Sequence, residues 1–282
     1  MVGWIEEWWL RLAVGLVGSG AIALLAFNMR SLTASGAWSA VAMGTGYVMF
    51  GGPAWFGALI VFFASSTAWS RFKRRHRFKR DAEANYAKGG RRDAGQVWAN
   101  GGIGLGLCAA HALWPGDGWL YAFAGVMAAV NADTWATEIG ALSRTAPRSL
   151  LSGRSVPPGT SGGVTSLGSA AALAGAASIG AAVALLASPP LANAPAEAAP
   201  GALFATAAAA GIAGAFVDSW LGATVQTMYR CRVCGSETER ASHCGEAARR
   251  IRGFVWMTND AVNLASSAAA GFLAWGIGTA LS

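Results

Sequence analysis

Charged residues are scarce in this chain. They make up 12% of its 282 residues, whereas an average soluble domain carries about 25%. The hydrophobic share is 54%, and the apolar residues fall in long runs. A helix needs about 20 mostly apolar residues to cross roughly 30 Å of hydrocarbon. The composition therefore excludes an ordinary soluble domain and predicts an all-α, polytopic membrane protein, with residues 1–282 forming a single integral membrane domain.

Two further features are missing. The start of the chain carries Glu6 and Glu7 instead of the basic residues of a cleavable signal peptide, so the apolar run that follows is interpreted as a retained span. Histidine occurs only three times: in a basic run (His76), near the predicted outer face (His111) and in a loop rich in cysteine (His243). None of these positions is typical of a catalytic base, so the sequence argues against histidine-dependent chemistry.

Eight apolar runs are candidates for membrane spans. They lie at 9–29, 35–50, 53–69, 97–114, 118–133, 163–187, 201–222 and 254–281. The second and third are short and are joined by Gly51-Gly52-Pro53, so a re-entrant hairpin is an alternative to two spans. The sequence thus predicts a helical bundle of about eight transmembrane helices, within a range of six to eight.

Positive charges are distributed unevenly along the chain. With the N-terminus outside, one face receives Arg30, ten residues from Arg71 to Arg92, three from Arg144 to Arg154 and six from Arg230 to Arg252, which are 20 of the 21 Lys and Arg residues. By the positive-inside rule this face is cytoplasmic. The sequence therefore predicts a multi-pass protein of the cell membrane with both termini outside. Since topology accounts for the net charge of +7, no nucleic-acid partner is expected.

Three cytoplasmic loops follow from this topology. They are a basic loop at 70–96, a glycine-rich loop at 142–162 and a Cys/His loop at 223–253. The basic run Arg71–Arg80 is typical of a topology anchor that contacts anionic membrane lipids, and a patch that gathers an anionic substrate is the alternative. Asp93, Gln96 and Asn100 share one helical face at the start of the fourth span. They indicate either part of a site or a hydrated helix start.

Acidic and amide side chains cluster at the cytoplasmic ends of the spans. A carboxylate near the bilayer centre costs about 2.5–3.5 kcal/mol, so such residues normally face a wet cavity and serve a function. Asp133-Thr-Trp ends the fifth span and Asp218-Ser-Trp ends the seventh, which predicts similar depth for the two aspartates and indicates an internal repeat. The candidate Mg²⁺ ligands are Asp133, Glu138 and Asp218. Further candidate oxygen groups belong to Asn100, Asn131, Asn259, Asp260 and Asn263.

A glycine-rich turn from Pro157 to Thr165 leads into the sixth span. Glycine lets the backbone approach a phosphate closely, and a helix N-terminus adds N–H donors and partial positive charge. The same composition also permits close packing of membrane helices. Together with the acidic segment before it, the turn predicts phosphate binding by Gly159, Thr160, Ser161, Gly162, Gly163 and Thr165.

Four stretches resemble one membrane family. They are Asp133-Thr-Trp-Ala-Thr-Glu-Ile-Gly140, Pro158-Gly-Thr-Ser-Gly-Gly-Val-Thr165, Phe216-Val-Asp-Ser-Trp-Leu-Gly-Ala-Thr224 and Trp256-Met-Thr-Asn-Asp-Ala-Val-Asn263. As a set they are similar to the family called domain of unknown function 92, or transmembrane protein 19 type. The resemblance implies a phytyl-phosphate kinase-like enzyme, in which a nucleoside triphosphate converts an isoprenyl monophosphate into the diphosphate.

The order of Asp133, Ala136, Thr137 and Gly140 before a glycine-rich turn also resembles the CTP-dependent dolichol and phytol kinases. This implies CTP or another nucleoside triphosphate as co-substrate. Those kinases usually carry a lysine and a glutamate in the turn, whereas this chain has Val156-Pro-Pro-Gly-Thr. Arg148 and Arg154 are therefore expected to supply the cation.

The leading hypothesis is a membrane kinase with a site that faces the cytoplasm. Asp133, Glu138 and Asp218 would hold the Mg²⁺-nucleotide, and a prenyl monophosphate lipid would bind with its chain between helices. The alternative is an ion-coupled transporter or a lipid flippase, because intramembrane acids and repeats also occur there. A structural scaffold would leave the carboxylates unexplained. The sequence carries no signal for the oligomeric state.

Cys231-x2-Cys234 and the pair His243-Cys244 lie in the third cytoplasmic loop. A structural Zn²⁺ site, unliganded thiols and a disulfide are the alternatives, and reducing conditions in the cytoplasm argue against the disulfide. Adjacent His and Cys ligands are an unusual spacing for zinc. Cys108 stands alone in the fourth span and is interpreted as a small packing residue.

Overall fold

The computed structural model describes residues 7–72, 86, 90–188 and 198–281. Most of the basic run, at 73–80, and much of the predicted loop 70–96 lie outside these residues. The described helices are α1 (Trp8–Asn28), α2 (Ala34–Phe50), α3 (Pro53–Arg71), α4 (Ala94–Leu113), α5 (Asp117–Gly140), α6 (Ser166–Leu186), α7 (Pro200–Thr224) and α8 (Asn259–Leu281). Each coincides with one predicted span.

The predicted class, an all-α membrane bundle, is confirmed. Among the described helices, α1, α6, α7 and α8 are long and apolar enough to cross a membrane by length and composition. The number of helices that cross the membrane, and their orientation in it, stay predictions.

Four helix boundaries differ from the sequence prediction by three or more residues. α4 begins at Ala94 instead of 97, because the Asp93 side chain caps it. α5 continues to Gly140 instead of ending at residue 133, because its polar residues face a cavity and do not oblige the helix to stop. α6 begins only at Ser166, since the Thr165 side chain caps it by accepting a hydrogen bond from the Gly168 N–H at 2.9 Å. α8 begins at Asn259 and not at 254, because the preceding residues form turns.

α5 is the central helix of the bundle. It packs against α3, α4, α6, α7 and α8, and every residue from Leu120 to Ala132 is buried. The contact with α6 is close: a Cβ atom added at Gly175 would lie 3.0 Å from the Asn131 carbonyl oxygen. Small residues permit such approach, and membrane helices associate through packing of this kind. The central helix therefore carries its polar C-terminal third into the middle of one end of the bundle.

The outside of the bundle is apolar. Val17 and Phe272, on α1 and α8, are 73% and 71% exposed. Large exposed apolar surfaces are rare in soluble monomers, whereas hydrocarbon solvates them at no cost. The surface therefore agrees with a protein embedded in lipid.

The two ends of the bundle differ in charge. At one end, the backbone of Arg92 bonds with Ser31 and Thr33 and thereby joins the α1–α2 connection to the start of α4. This end carries the connections to which the sequence assigns 20 of the 21 Lys and Arg residues. Arg11 lies at the opposite end, where its guanidinium donates to the Gly51 carbonyl at 3.2 Å and caps α2.

Short strands shape the two loops at the basic end, which the sequence did not predict. Between α5 and α6, β1 (Arg148–Ser149) pairs with β2 (Gly163–Val164). Between α7 and α8, β3 (Met228–Arg230) lies between β4 (Glu237–Thr238) and β7 (Arg249–Arg252), while β5 (Ser242–His243) pairs with β6 (Glu246–Ala247). These pairings lie within each loop and give it a defined shape.

Candidate active site

A polar cavity of about 730 Å³ lies at the basic end of the bundle. The ends of α3 to α8 and both strand-containing loops line it. Of the 16 residues that the sequence nominated for catalysis or nucleotide binding, 13 are among its lining: Asn100, Asp133, Glu138, Gly159, Thr160, Ser161, Gly162, Gly163, Thr165, Asp218, Asn259, Asp260 and Asn263. Residues spread over 164 positions of the chain thus share a single cavity.

Asp133 of α5 and Asp218 of α7 form the centre of this cavity. Their carboxylates lie within hydrogen-bonding reach of each other, and Ser266 of α8 donates to Asp218 Oδ2 at 3.0 Å. The carboxylate of Glu239 is close enough to act on both. No Lys or Arg of the described residues forms an ion pair with Asp133 or Asp218. Adjacent carboxylates repel each other, so the arrangement suits a bound cation.

Glu138 lies apart from the two aspartates. It lies five positions after Asp133, which places the two side chains about 140° apart around the helix. Glu138 accepts a hydrogen bond from Ser70 of α3, and its charge acts on Arg92. Among the described residues, no group of three carboxylates is compact enough to hold one ion. The structure therefore places the three predicted ligands in one cavity as a pair, Asp133 and Asp218, with Glu138 apart from it.

The glycine-rich turn forms one wall of the cavity. Gly159 and Gly162 both adopt φ of +81°, a left-handed conformation that glycine favours. Ser161 Oγ donates to Gln226 Oε1 at 2.8 Å, and Gln226 Nε2 donates to Glu239 Oε1 at 2.8 Å. A hydrogen-bonded chain therefore ties the turn to the loop that carries Glu239.

Amide groups form the opposite wall. Asn263 of α8 donates from Nδ2 to Asn100 Oδ1 of α4 at 3.4 Å. The Oδ1 atom of Asn263 is buried without a hydrogen-bond partner. Buried polar atoms are normally satisfied, so this oxygen is suited to a ligand that supplies a donor or a cation.

Three nominated residues do not line the cavity. Asn131 is fully buried on another face of α5, where its amide donates to Gly175 O at 2.8 Å and accepts from Ser65 Oγ at 3.1 Å. It joins α5 to α6 and α3, because two positions along a helix turn it about 160° away from Asp133. Arg148 and Arg154 are exposed on their loop, and Arg148 donates to the Gly153 carbonyl at 3.1 Å. The structure therefore does not bring these two arginines to the cavity wall.

Sequence reasoning missed the arginines that do line the cavity, Arg92 and Arg144. Arg92 NH1 donates to Thr67 Oγ1 at 3.3 Å, and its guanidinium lies 5.9 Å from the ring centres of Phe62 and Phe63. Desolvation lowers the pKa of Arg92, while the charge of Glu138 raises it. The sequence did contain a signal for Arg92, because this residue directly precedes Asp93 and lies near Gln96, at the capped start of α4. No sequence pattern indicates Glu239 as a site residue, because only the folded loop brings it to the aspartates.

A second, apolar groove meets the cavity. Its walls come from α1 to α4 and include Ile22, Ala40, Met43, Phe56, Leu59, Phe62 and Phe63. The two spaces share Arg92, Gln96 and Asn100. The groove is much smaller than the cavity, about 70 Å³ against about 730 Å³. A molecule with its anionic head in the cavity could therefore place only the first part of an apolar tail in the groove.

The Cys/His loop contains a compact cluster outside the cavity. The ligand atoms of Cys231, Cys234, His243 and Cys244 all lie within 4.8 Å of one another. A hydrogen bond with the side chain of Ser236, the largest of several effects, lowers the pKa of Cys234 to about 6. A hydrogen bond with Cys234 raises the pKa of Cys244 to about 11. Neighbouring thiols thus compete for charge in this cluster. Cys108 is buried in α4, away from it.

Comparisons with known proteins agree with the membrane architecture. A family model described as integral membrane protein DUF92 matches residues 17–271. A curated relative, Protein PGR of Arabidopsis thaliana, is 29% identical over 281 residues, an alignment that covers 93% of this chain and 94% of the relative. No solved structure matches the chain significantly.

Proposed function

This chain belongs to the DUF92 family of integral membrane proteins, and we propose that its cavity is the active site of a membrane-embedded isoprenyl-phosphate kinase. The reaction transfers the terminal phosphoryl group of a nucleoside triphosphate, CTP or another, to a prenyl monophosphate. The observation that carries the proposal is the junction of three features: a carboxylate pair, a glycine turn at a helix N-terminus, and an apolar groove that meets them at an arginine.

The carboxylate pair is proposed to bind Mg²⁺ together with the nucleotide. Mg²⁺ is typically held by one or two carboxylates plus substrate phosphates, and Asp133, Asp218 and the unsatisfied oxygen of Asn263 offer such a set. When bound, Mg²⁺ would offset the negative charge of the nucleotide phosphates during transfer. The turn at Gly159–Gly163 and the α6 N-terminus then receive the remaining phosphate oxygens.

The acceptor's own phosphate makes a catalytic base unnecessary. One of its anionic oxygens attacks the γ-phosphorus, the new O–P bond forms, and the bond from the γ-phosphorus to the β-phosphate oxygen breaks, releasing the nucleoside diphosphate. Such a transfer asks the protein mainly for position and for compensation of charge. Arg92 and Arg144 are the cations of the cavity wall that can provide this compensation.

The groove supports a proposed position for the acceptor lipid. With its phosphate at Arg92, the first part of the isoprenyl chain would extend between α1, α2, α3 and α4 along Ala40, Met43 and Phe63. Burial of an apolar chain contributes about 25 cal/mol per Å² removed from water, so a longer chain is expected to bind more tightly. The groove thereby selects lipid phosphates over soluble ones.

Arg92→Gln is expected to lower kcat/KM for prenyl-phosphate phosphorylation by about 10²-fold, because the substitution removes the charge-assisted donors that face the acceptor phosphate. Steady-state kinetics on detergent-solubilised protein measures the effect. Arg154→Gln is the matched control: Arg154 is exposed and does not line the cavity, so its activity should stay within about twofold of wild type. Equal losses in the two variants would contradict this placement of the acceptor phosphate.

Ala40→Phe is expected to raise KM for geranylgeranyl monophosphate by about tenfold, since the added ring occupies the groove and displaces the chain. The KM for a short acceptor such as dimethylallyl monophosphate should change little. Ala42→Phe provides the control, because Ala42 lies two residues away on α2, is exposed and does not line the groove. If Ala40→Phe shifts both acceptors alike, the chain binds elsewhere, for example beside Phe216 at the surface of α7.

The proposed activity is tested by supplying the purified protein with geranylgeranyl monophosphate, Mg²⁺ and CTP, ATP, GTP or UTP in turn. Mass spectrometry should detect the diphosphate with at least one donor. Folded protein that gives no diphosphate with any donor, and whose thermal unfolding no nucleotide shifts, would refute the kinase. Ion-driven or lipid flux in liposomes would then be the next measurement.

A further inference from the structure

Two hairpins bring four ligand groups together at the edge of the α7–α8 loop. Cys231 and Cys234 lie in the turn between β3 and β4, and His243 and Cys244 lie at the turn between β5 and β6. His243 Nδ1 is 3.5 Å from Cys234 Sγ and 3.3 Å from Cys244 Sγ. Cys231 completes the cluster from the buried side. Three sulfurs and one imidazole nitrogen thus surround one point.

The backbone explains how adjacent residues can both face that point. Cys244 has φ of +55° and Gly245 has φ of +79°, which are the signs required at both central positions of a type I′ hairpin turn. Cysteine rarely adopts a left-handed conformation, and such residues persist where surrounding contacts require them. The turn removes the objection that neighbouring His and Cys ligands are badly spaced.

The first hairpin has a matching geometry. Cys234 is followed by Gly235 at φ of +75°, which closes the turn, and the Gly235 N–H donates to the Cys231 carbonyl at 3.1 Å. The Val233 N–H donates to Cys231 Sγ at 3.4 Å. Backbone N–H groups directed at a sulfur stabilise it as a thiolate, and partners of this kind orient metal ligands.

We infer that Cys231, Cys234, His243 and Cys244 bind one structural Zn²⁺ ion. Three thiolates and one imidazole are a common closed set for structural zinc, which prefers four tetrahedral ligands. The soft sulfur ligands argue against Mg²⁺ or Ca²⁺. A Cys231–Cys234 disulfide would leave His243 and Cys244 together with no function. Because thiols bind as thiolates, metal loading releases protons.

The zinc site would position Glu239, a consequence that rests on the proposed function. Glu239 directly follows β4, between the two ligand pairs. The Gln226 side chain donates a hydrogen bond to Glu239 itself. The next residue, Arg240, donates from Nε to the Tyr86 carbonyl at 2.7 Å. A metal that joins both hairpins fixes the segment from 231 to 244 as a closed unit. It thereby holds Glu239 at the cavity without contacting substrate.

The test is metal content. Protein purified without affinity metals and dialysed against a weak chelator should contain one Zn per chain by inductively coupled plasma mass spectrometry. Cys234→Ser should contain less than a tenth of that amount. Cys108→Ala, which removes the thiol buried in α4, should keep one Zn and serves as the matched control. Hydrogen exchange of residues 228–252 should be faster in Cys234→Ser than in either other protein.

A second readout does not depend on the variant's folding. Wild-type protein whose metal is exchanged for Co²⁺ should show thiolate-to-cobalt charge-transfer absorption and the strong d–d bands of a tetrahedral site. Absence of zinc together with four free thiols in denatured protein, namely the three of the cluster and Cys108, would overturn the proposal. A disulfide found by mass spectrometry would overturn it as well. Zinc is measured without substrate, so a kinase that proves inactive leaves this result unaffected. Conversely, active protein without zinc would refute the metal site alone.

Discussion

Asp133→Asn and Asp218→Asn are each expected to lower kcat for diphosphate formation by about 10²–10³-fold, the effect typical of removing one group that stabilises charge in the transition state. Each substitution keeps the shape of the side chain and removes the charge proposed to hold the Mg²⁺-nucleotide. The carboxylates lie against each other, so either loss should impair the same step, and the double variant should lose little more than each single one. Initial rates at saturating acceptor measure this.

The same helix provides the control for these variants. Asp117 begins α5 at the opposite end from the cavity and is exposed, so Asp117→Asn should leave kcat unchanged. All variants must unfold at temperatures near that of wild type. Full activity in Asp133→Asn, or an equal loss in Asp117→Asn, would refute the proposed role of the pair.

Gly162→Ala is expected to abolish most activity, with a loss of about 10²-fold or more, because misplacing a phosphate-binding loop by 1 Å has an effect of this size. Gly162 has φ of +81°, and an added Cβ would lie 2.7 Å from Cα and 2.8 Å from N of Ala223 in α7. That contact is with backbone and cannot be relieved by rotating a side chain. The turn must therefore move away from α7, and its phosphate-binding N–H groups with it.

Gly153→Ala separates this displacement from backbone strain. Gly153 lies in the same loop with φ of +64°, yet an added Cβ meets nothing within 4 Å. Both alanines carry the left-handed penalty of about 1–2 kcal/mol, but only the one at Gly162 forces the turn from its place. Comparable activity of the two variants would show that position of the turn does not limit the reaction.

The sequence predicted the helices well because a bilayer imposes strong constraints on a chain. Each apolar run became a helix, and polar residues such as Asp133 and Asp218 were recognisable because hydrocarbon rejects them. The predicted fifth span ended at residue 133, whereas the helix α5 continues to Gly140. Because residues 134–140 were not assigned to the helix, the phase of Glu138 relative to Asp133 could not be derived from the sequence.

The cations and the loop residues could not be predicted for a different reason. Arg92 was counted as a topology signal, which is the usual role of arginine beside a span. Only the folded bundle brings the start of α4 beside α3, where the Arg92 guanidinium lies with Thr67 and Phe62. Glu239 is brought to the aspartates by the folding of its own loop, in which Gln226 donates a hydrogen bond to it, although Asp133 is distant in the sequence. Contacts of this kind leave no periodic pattern in the chain.

The central claim is that a phosphoryl group passes from nucleotide to lipid in this cavity. The most direct measurement supplies a nucleoside triphosphate with ¹⁸O in its γ-phosphate, together with geranylgeranyl monophosphate and Mg²⁺, and locates the label by mass spectrometry. The account predicts prenyl diphosphate whose terminal phosphate carries the label in wild type, and almost none in Asp133→Asn. Unlabelled lipid with every donor, in protein that remains folded, would contradict it.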